Sequence, residues 1–398
     1  MKKTRKVLLA FSGGLDTSFC AKYLAKEKGL EVHSAIVNTG GFSSKELEKI
    51  SLRALHLGVK SHKVLEETIP FYKDIIRYLI YGNVLRNNTY PLSVSAERVH
   101  QAIALAKYAK EIGADYIAHG STGAGNDQIR FDLIFQLVAP ELEILTPVRT
   151  LQLTRQEEIQ YLAKHGLDLD WKKARYSVNK GLWGTSIGGV ETLTSHLPLP
   201  EEAWPSPLRA KTPRKVTLSF FKGELIALDH VEMHPVKAIQ QLEMLASPYA
   251  IGRDIHVGDT IIGIKGRVGF EAAAAIITIK AHHLLEKHTL SKWQQHWKQQ
   301  LGEWYGMFLH EARYLDPVMR NIECFLEDTQ STVTGKVYVL LHPYRFELLG
   351  IEAPGDLMQS SFGKYGETHD RWSGRDVQGF TKILANPMQI INQINQEK

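Results

Sequence analysis

The residues with the densest chemical content are Ser12-Gly13-Gly14-Leu15-Asp16-Thr17-Ser18. Two glycines let backbone N–H groups turn inward, and a following helix N-terminus adds partial positive charge. Ser12, Thr17 and Ser18 add hydroxyl donors. Together these capture an anion. Asp16 has the wrong sign for a phosphate site unless a cation bridges it, and magnesium is the natural candidate. The pattern is not a Walker loop, because no Gly-Lys-Ser/Thr follows, and it is not the dinucleotide fingerprint. The bland alternative is a glycine turn that merely opens a helix. A second Gly-rich segment, His119 to Phe131, carries Thr122, Asn126, Asp127 and Arg130. An arginine fork pairs with a carboxylate. Thr122 and Asn126 offer neutral hydrogen bonds, and Asp127 can hold an ammonium group.

These residues need elements that place them. Lys6 to Phe11 is a short apolar run stopped by Ser-Gly-Gly, which predicts a buried parallel strand. Thr17–Lys28 predicts a helix, Glu31–Val37 a second strand, and Ser43–Leu57 a helix with Ser44 and Glu46 near its start. A third strand surrounds Val64. Ser95–Ile112 is amphipathic, Asp115–His119 is strand-like, and Thr154-x-x-Glu157 opens another helix as a capping box. The alternation predicts an α/β class with a doubly wound parallel sheet in a nucleotide-binding domain, residues 1–168. Beyond about residue 170 the texture changes. Residues 198–213 are Pro-rich. Strand-like runs follow from Val216, then helix from Ala281 to His310. This predicts a second α+β domain over residues 169–375. An amphipathic C-terminal helical tail, residues 376–398, has too little chain to be stable alone.

The 398 residues are 43% hydrophobic and 23% charged, which excludes a mainly disordered, collagenous or coiled-coil chain. The longest apolar stretch, Ala272–Ile279, is far short of the roughly 20 residues of a membrane span. The basic Met1–Lys6 start is not followed by the apolar core of a signal peptide, so a cytoplasmic protein is expected. Cys20 and Cys324 are the only cysteines, too few for a zinc ribbon or disulfide framework. The net charge of +5 is mild and suits an anionic small molecule better than nucleic acid. His282, His283 and His288 fall on different helix faces and read as packing or solvated histidines, not a metal site. Trp293, Trp297 and Trp304 read as a packing stripe, and Cys20 as core.

The first loop resembles the pyrophosphate loop of ATP pyrophosphatases, which split ATP into AMP and pyrophosphate. With the 119–131 segment, Tyr90 and Ser95, Tyr176-Ser177, and Leu182-Trp183-Gly184-Thr185-Ser186, the chain resembles the argininosuccinate synthase family. The resemblance implies an ATP- and Mg2+-dependent carbon–nitrogen ligase of arginine biosynthesis and the urea cycle. It joins citrulline to aspartate through a citrullyl-adenylate. It implies ATP contacts at Ala10, Phe11, Ser12, Gly13, Gly14, Leu15, Asp16, Thr17, Ser18, Val37 and Gly120. It implies aspartate contacts at Thr122, Asn126 and Asp127, and citrulline contacts at Tyr90, Ser95, Asn126, Arg130, Ser177 and Ser186. Asp16 and Asp127 are the candidate catalytic carboxylates, Asp16 for magnesium and Asp127, or pyrophosphate itself, for the aspartate proton. It also implies a homotetramer reached through the tail, with neither nucleic acid nor membrane as partner.

Two departures from the family pattern stand out. A glutamate and a tyrosine that touch citrulline align with Gly258 and Phe270, and Asp254 or Asp259 are candidates to replace the lost anion. Acidic and amide residues after Ser177 align with Asn179, Lys180 and Gly181. These changes raise an alternative, the same chemistry on an N-acylated citrulline such as N-succinylcitrulline. A more distant alternative is a tRNA-modifying ATP pyrophosphatase, which needs loop cysteines that Cys20 and Cys324 do not supply.

Overall fold

A computed structural model describes residues 4–123, 125–167, 175–367 and 370–396. Ala124 of the second loop, the expected boundary at 168–169, the first three residues and the last two lie outside them. Residues 1–355 form one compact unit and residues 356–398 a second.

The first unit begins with alternating strands and helices: β1 (Lys6–Ala10), α1 (Leu15–Lys26), β2 (Glu31–Asn38), α2 (Ser44–His56) and β3 (Ser61–Glu66). A helical stretch follows, α3 (Thr68–Phe71), one π-helical turn (Tyr72–Ile76) and α4 (Arg77–Tyr81). Then come α5 (Ser93–Glu111), β4 (Tyr116–Ala118), α6 (Asp127–Val138), β5 (Glu143–Leu145), α7 (Pro147–Leu151) and α8 (Arg155–Lys164). The five strands are parallel in the order β3-β2-β1-β4-β5. Val7, Leu8 and Leu9 are fully buried because helices cover both faces of the sheet, which is why the run is continuously apolar. The order also sets a switch point. From β1 the chain winds outward to β3 on one side, then crosses back to β4 on the other. The loops after β1 and β4 therefore diverge and leave a crevice at their carboxyl ends.

Helix starts follow local chemistry. Ser43, not Ser44, caps α2, in a reciprocal box with Glu46. Thr154 and Glu157 do the same for α8. The α5 helix begins two residues before the expected Ser95, at Ser93, after Leu92 in a left-handed conformation.

The rest of the unit is antiparallel sheet and helix: β6 (Ser177–Gly181), β7 (Gly184–Gly188), β8 (Arg214–Phe221), β9 (Glu224–Leu228), β10 (Val231–Glu232), α9 (Pro235–Ala246), β11 (Arg253–Asp259), β12 (Lys265–Glu271), α10 (Ala273–Thr289), α11 (Lys292–His310), α12 (Pro317–Thr329), β13 (Gly335–His342) and β14 (Arg345–Glu352). One sheet has the order β10-β9-β8-β13-β14, the other β11-β12-β7-β6. The single helical region expected over 281–310 is two helices, because Ser291 starts α11 with its own capping box. Cys20 is core, as expected. The tryptophan stripe is not: Trp293, Trp297 and Trp304 are 64%, 56% and 53% exposed, so the helix periodicity is real but its aromatic face is uncovered in this chain.

His282 takes the packing role expected of it. It is fully buried, 2.7 Å from Asn83 and 2.8 Å from Gln330. Gln330 donates to Glu286 at 3.0 Å, and Lys298 pairs with Glu286 at 2.8 Å. This network ties α10, α11 and the end of α12 to the turn after α4. The tail unit holds α13 (Gly374–Leu384) and α14 (Asn386–Gln396), whose Phe380, Ile383, Leu384, Met388 and Ile391 are all exposed.

Removing one partner of a buried ion pair strands the other charge, at a cost of about 3–5 kcal/mol. Lys298→Met is expected to lower the denaturant midpoint accordingly with an unchanged slope. Lys298→Met combined with Glu286→Gln should recover much of the loss.

Candidate active site

The switch-point crevice opens into a cavity of about 940 Å³. Its wall includes Ala10, Phe11, Ser12, Gly14, Leu15, Asp16, Thr17, Val37 and Gly120 of the expected ATP set. It also includes Thr122, Asn126, Asp127, Tyr90, Ser95, Arg130, Ser177 and Ser186. Residues from six separate stretches of sequence thus share one cavity. Two members of the first loop do not face it. Ser18 is fully buried and its hydroxyl donates to the Gly14 carbonyl at 2.7 Å. Gly13, at φ +78°, sits where a Cβ would lie 3.2 Å from Ile50. These two residues shape the loop rather than line it.

The loop needs its glycines for close approach. A Cβ on Gly120 would sit 3.2 Å from the Thr17 nitrogen, so the second loop rests directly on the start of α1. Ser12 and Thr17 hydroxyls lie 3.4 Å apart above Gly14. Behind the loop, Glu158 is 2% exposed; burial, then the neighbouring Asp16 carboxylate, push its pKa up to about 8. Asp16 itself faces the cavity.

The second loop is braced from beneath. Asp132 holds His119 at 2.8 Å and Arg149 at 2.7 Å, and His119 accepts from the Ser121 N–H at 3.2 Å. Asp127 opens α6 and is gripped by two guanidinium groups, Arg130 at 2.8 Å and Arg98 at 3.1 Å. Burial alone would raise its pKa. The two cations outweigh that, and the net shift is downward. Arg130 is buried and also donates to the His310 carbonyl at 3.1 Å. Arg98 reaches across to Asn179 at 3.2 Å and Gln101 at 2.9 Å. Arg98 is a cavity residue that motif reading missed. Its signal was present in the sequence, since it lies three residues after Ser95 and so shares a helix face with it.

Tyr90 accepts from the Val94 N–H at 3.2 Å and stacks against His256, with ring centroids 5.2 Å apart. The Ser95 hydroxyl is buried with no partner among the described residues. The two departures now have a geometry. Gly258 lines the cavity, and a Cβ there would meet His256 Nε2 at 2.6 Å. His256 therefore occupies the space a longer side chain at 258 would need. Phe270 packs on Tyr90 and is outside the cavity lining. Asp259 lines the cavity, paired to Lys265 at 2.7 Å, while Asp254 does not line it. Asn179 and Lys180 line it, Gly181 does not. His256 and His310 were not singled out from sequence, because an isolated histidine in a strand or at a helix end has no motif.

Burial pushes the His256 pKa down to about 4, helped by Arg86. The cavity wall at Gly258 is thus a neutral imidazole rather than an anion.

The family models that match are the arginosuccinate synthase N-terminal HUP domain over residues 6–168 and the arginosuccinate synthase C-terminal domain over residues 176–391. The chain is 36% identical over 391 residues to the argininosuccinate synthase of Dictyoglomus turgidum, covering 96% of each. It is 34% identical over 404 residues to that of Xanthomonas axonopodis pv. citri, covering 98% of this chain and 96% of the relative. It is also 34% identical over 366 residues to that of Methanocaldococcus jannaschii, covering 91% and 92%.

A histidine held neutral in the fold costs stability when the unfolded chain protonates. The His256 pKa is near 6.5 unfolded and about 4 folded, so its contribution is complete above pH 6.5 and is lost as pH falls toward 4. His256→Asn is expected to shrink the loss of unfolding free energy between pH 7 and pH 4 by up to about 3 kcal/mol. Denaturant titrations at the two pH values check this. His62 and His282, also pushed down to about 4, leave a residual slope of the same sign.

Proposed function

The chain belongs to the argininosuccinate synthase family, and on that premise we propose how its own residues carry out the ligation. The protein is an ATP-using carbon–nitrogen ligase of arginine biosynthesis. The observation that carries the assignment of residues is the single cavity onto which both Gly-rich loops open. The relatives' shared name does not favour an N-acylated citrulline or a tRNA substrate.

In our reading the nucleotide lies along residues 10–18, Val37 and Gly120. The citrulline ureido oxygen attacks the α-phosphorus, pyrophosphate leaves, and a citrullyl-adenylate forms. The aspartate amine then attacks the activated carbon and AMP departs. The ureido oxygen is already nucleophilic, so positioning and charge neutralisation dominate the first step. Backbone N–H groups at the start of α1, with the Ser12 and Thr17 hydroxyls, face the departing pyrophosphate. Arg130 offers its remaining donors to a substrate carboxylate, and Tyr90, Ser95, Ser177 and Ser186 surround citrulline. Thr122, Asn126 and Asp127 receive aspartate. An entering ammonium group competes with Arg98 and Arg130 for Asp127, so aspartate binding loosens that clamp. The proton leaves the ammonium to Asp127 or to pyrophosphate. Magnesium arriving with ATP fits Asp16, since that ion takes one or two carboxylates plus phosphate oxygens and water. When bound it supplies charge neutralisation for pyrophosphate.

We assign residues 1–168 to nucleotide binding, 169–375 to the synthetase function, and 376–398 to assembly of a homotetramer in the cytoplasm. No helix among the described residues is long and apolar enough to cross a membrane. The uncovered apolar faces of α13 and α14 support the assembly role.

Pyrophosphate release that requires both citrulline and aspartate tests the activity. Asp16→Asn is expected to reduce that release by about 3 kcal/mol of transition-state stabilisation or more, with a native circular-dichroism spectrum. Release at the native rate would remove Asp16 from the mechanism. Truncation before Thr381 is expected to lower the oligomer order measured by light scattering, and an unchanged tetramer would refute the role of the tail.

A further inference from the structure

Glu97 is a buried carboxyl that the mechanism above does not use. It projects from the second turn of α5, is 3% exposed and lines the cavity wall. Its Oε1 has no hydrogen-bond partner among the described residues. The sequence around it gave no reason to choose it, since Ser95 and Arg98 carry the obvious chemistry.

Its surroundings are unusual. The loop after β2 and the turn between β6 and β7 touch backbone to backbone. A Cβ on Gly41 would lie 2.2 Å from the Lys180 carbonyl oxygen, and one on Gly40 would lie 3.1 Å from Leu182 Cβ. Glu97 sits beneath this contact. A Cβ on Gly181 would lie 1.7 Å from its Oε1. Thr39 and Leu182, one from each segment, are neighbours of the same carboxyl. Thr39 lies two residues after Val37 of the proposed nucleotide site, and Leu182 lies between Ser177 and Ser186 of the proposed citrulline site. Burial pushes the Glu97 pKa up to about 8, further than neighbouring Arg98 lowers it, so at neutral pH the group is a neutral acid with both donor and acceptor capacity.

We propose that Glu97 is a positioning residue that ties the nucleotide-side loop to the citrulline-side hairpin, so that filling one site tightens the other. The inference rests on the functional reading above. A rigid bridge transmits coupling because ordering Thr39 around a bound nucleotide also fixes the hairpin through the same carboxyl. Gly181 belongs to the device, because any side chain there would displace the carboxyl.

Titration calorimetry of citrulline, with and without a non-hydrolysable ATP analogue, tests it on the full chain. In the wild type the analogue is expected to tighten citrulline about tenfold, a typical coupling. Glu97→Ala should reduce that ratio to about twofold or less, while Glu97→Gln, a neutral isostere, keeps most of it. Gly181→Ala should also lose the coupling, and adding it to Glu97→Ala should cost nothing more, since the two residues act as one unit. In steady state Glu97→Ala should raise the citrulline KM more than it lowers kcat. A merely structural Glu97 would weaken the protein without changing the ratio. A wild-type ratio in Glu97→Ala, or no coupling in the wild type, overturns the proposal and leaves the functional reading intact. A wild type that binds no citrulline under either condition overturns both.

Discussion

The active cavity exists because β1 has β2 on one side and β4 on the other. Parallel strands need long crossovers, and the direction of those crossovers reverses between β3 and β4. At that reversal no connection covers the carboxyl ends of the strands, and two loops separated by about a hundred residues come to face each other. Everything chemical follows from their proximity. The first loop supplies inward N–H groups and a helix start. The second rests on it through Gly120, which a side chain would prop away. The β6–β7 and β11–β12 hairpins then close the open side.

Within that crevice, electrostatics is arranged in compartments. Asp16 faces the cavity, while burial and that neighbouring carboxylate push the pKa of Glu158 behind it up to about 8. Asp127 is held ionised by Arg98 and Arg130. Beside Tyr90 the His256 imidazole is uncharged, Phe270 packs on the Tyr90 ring, and the Ser95 hydroxyl has no partner among the described residues. A site that must hold a triphosphate beside two zwitterions benefits from such separation, since a fixed charge of the wrong sign in a partly dry cavity costs several kcal/mol.

The helices outside the sheet make these positions rigid. Tyr81, Asn83, His282, Glu286, Lys298 and Gln330 form a buried polar network, with Lys298 donating to the Tyr81 carbonyl and pairing with Glu286. It holds α11, whose last residue, His310, accepts from Arg130. A charge network far from the cavity therefore fixes one wall of it.

The sequence by itself determined the parallel sheet, the capping boxes, the first loop and the loop at 119–131, because each is a local pattern: an apolar run, an N-cap with its N3 acid, glycines before a helix. Those same residues carried the family resemblance. Only the tertiary structure decided which members of a motif face the ligand. Ser18 and Gly13 belong to the first loop by spacing, yet helix geometry turns one inward and packing occupies the other. Arg98, Glu97, His256 and His310 have no motif, since what gives each its meaning is a partner between 29 and 180 positions away in the chain. The tryptophan face of α11 shows the same limit from the other side. Periodicity fixes that three side chains share a face, but whether that face is covered depends on elements the helix does not encode.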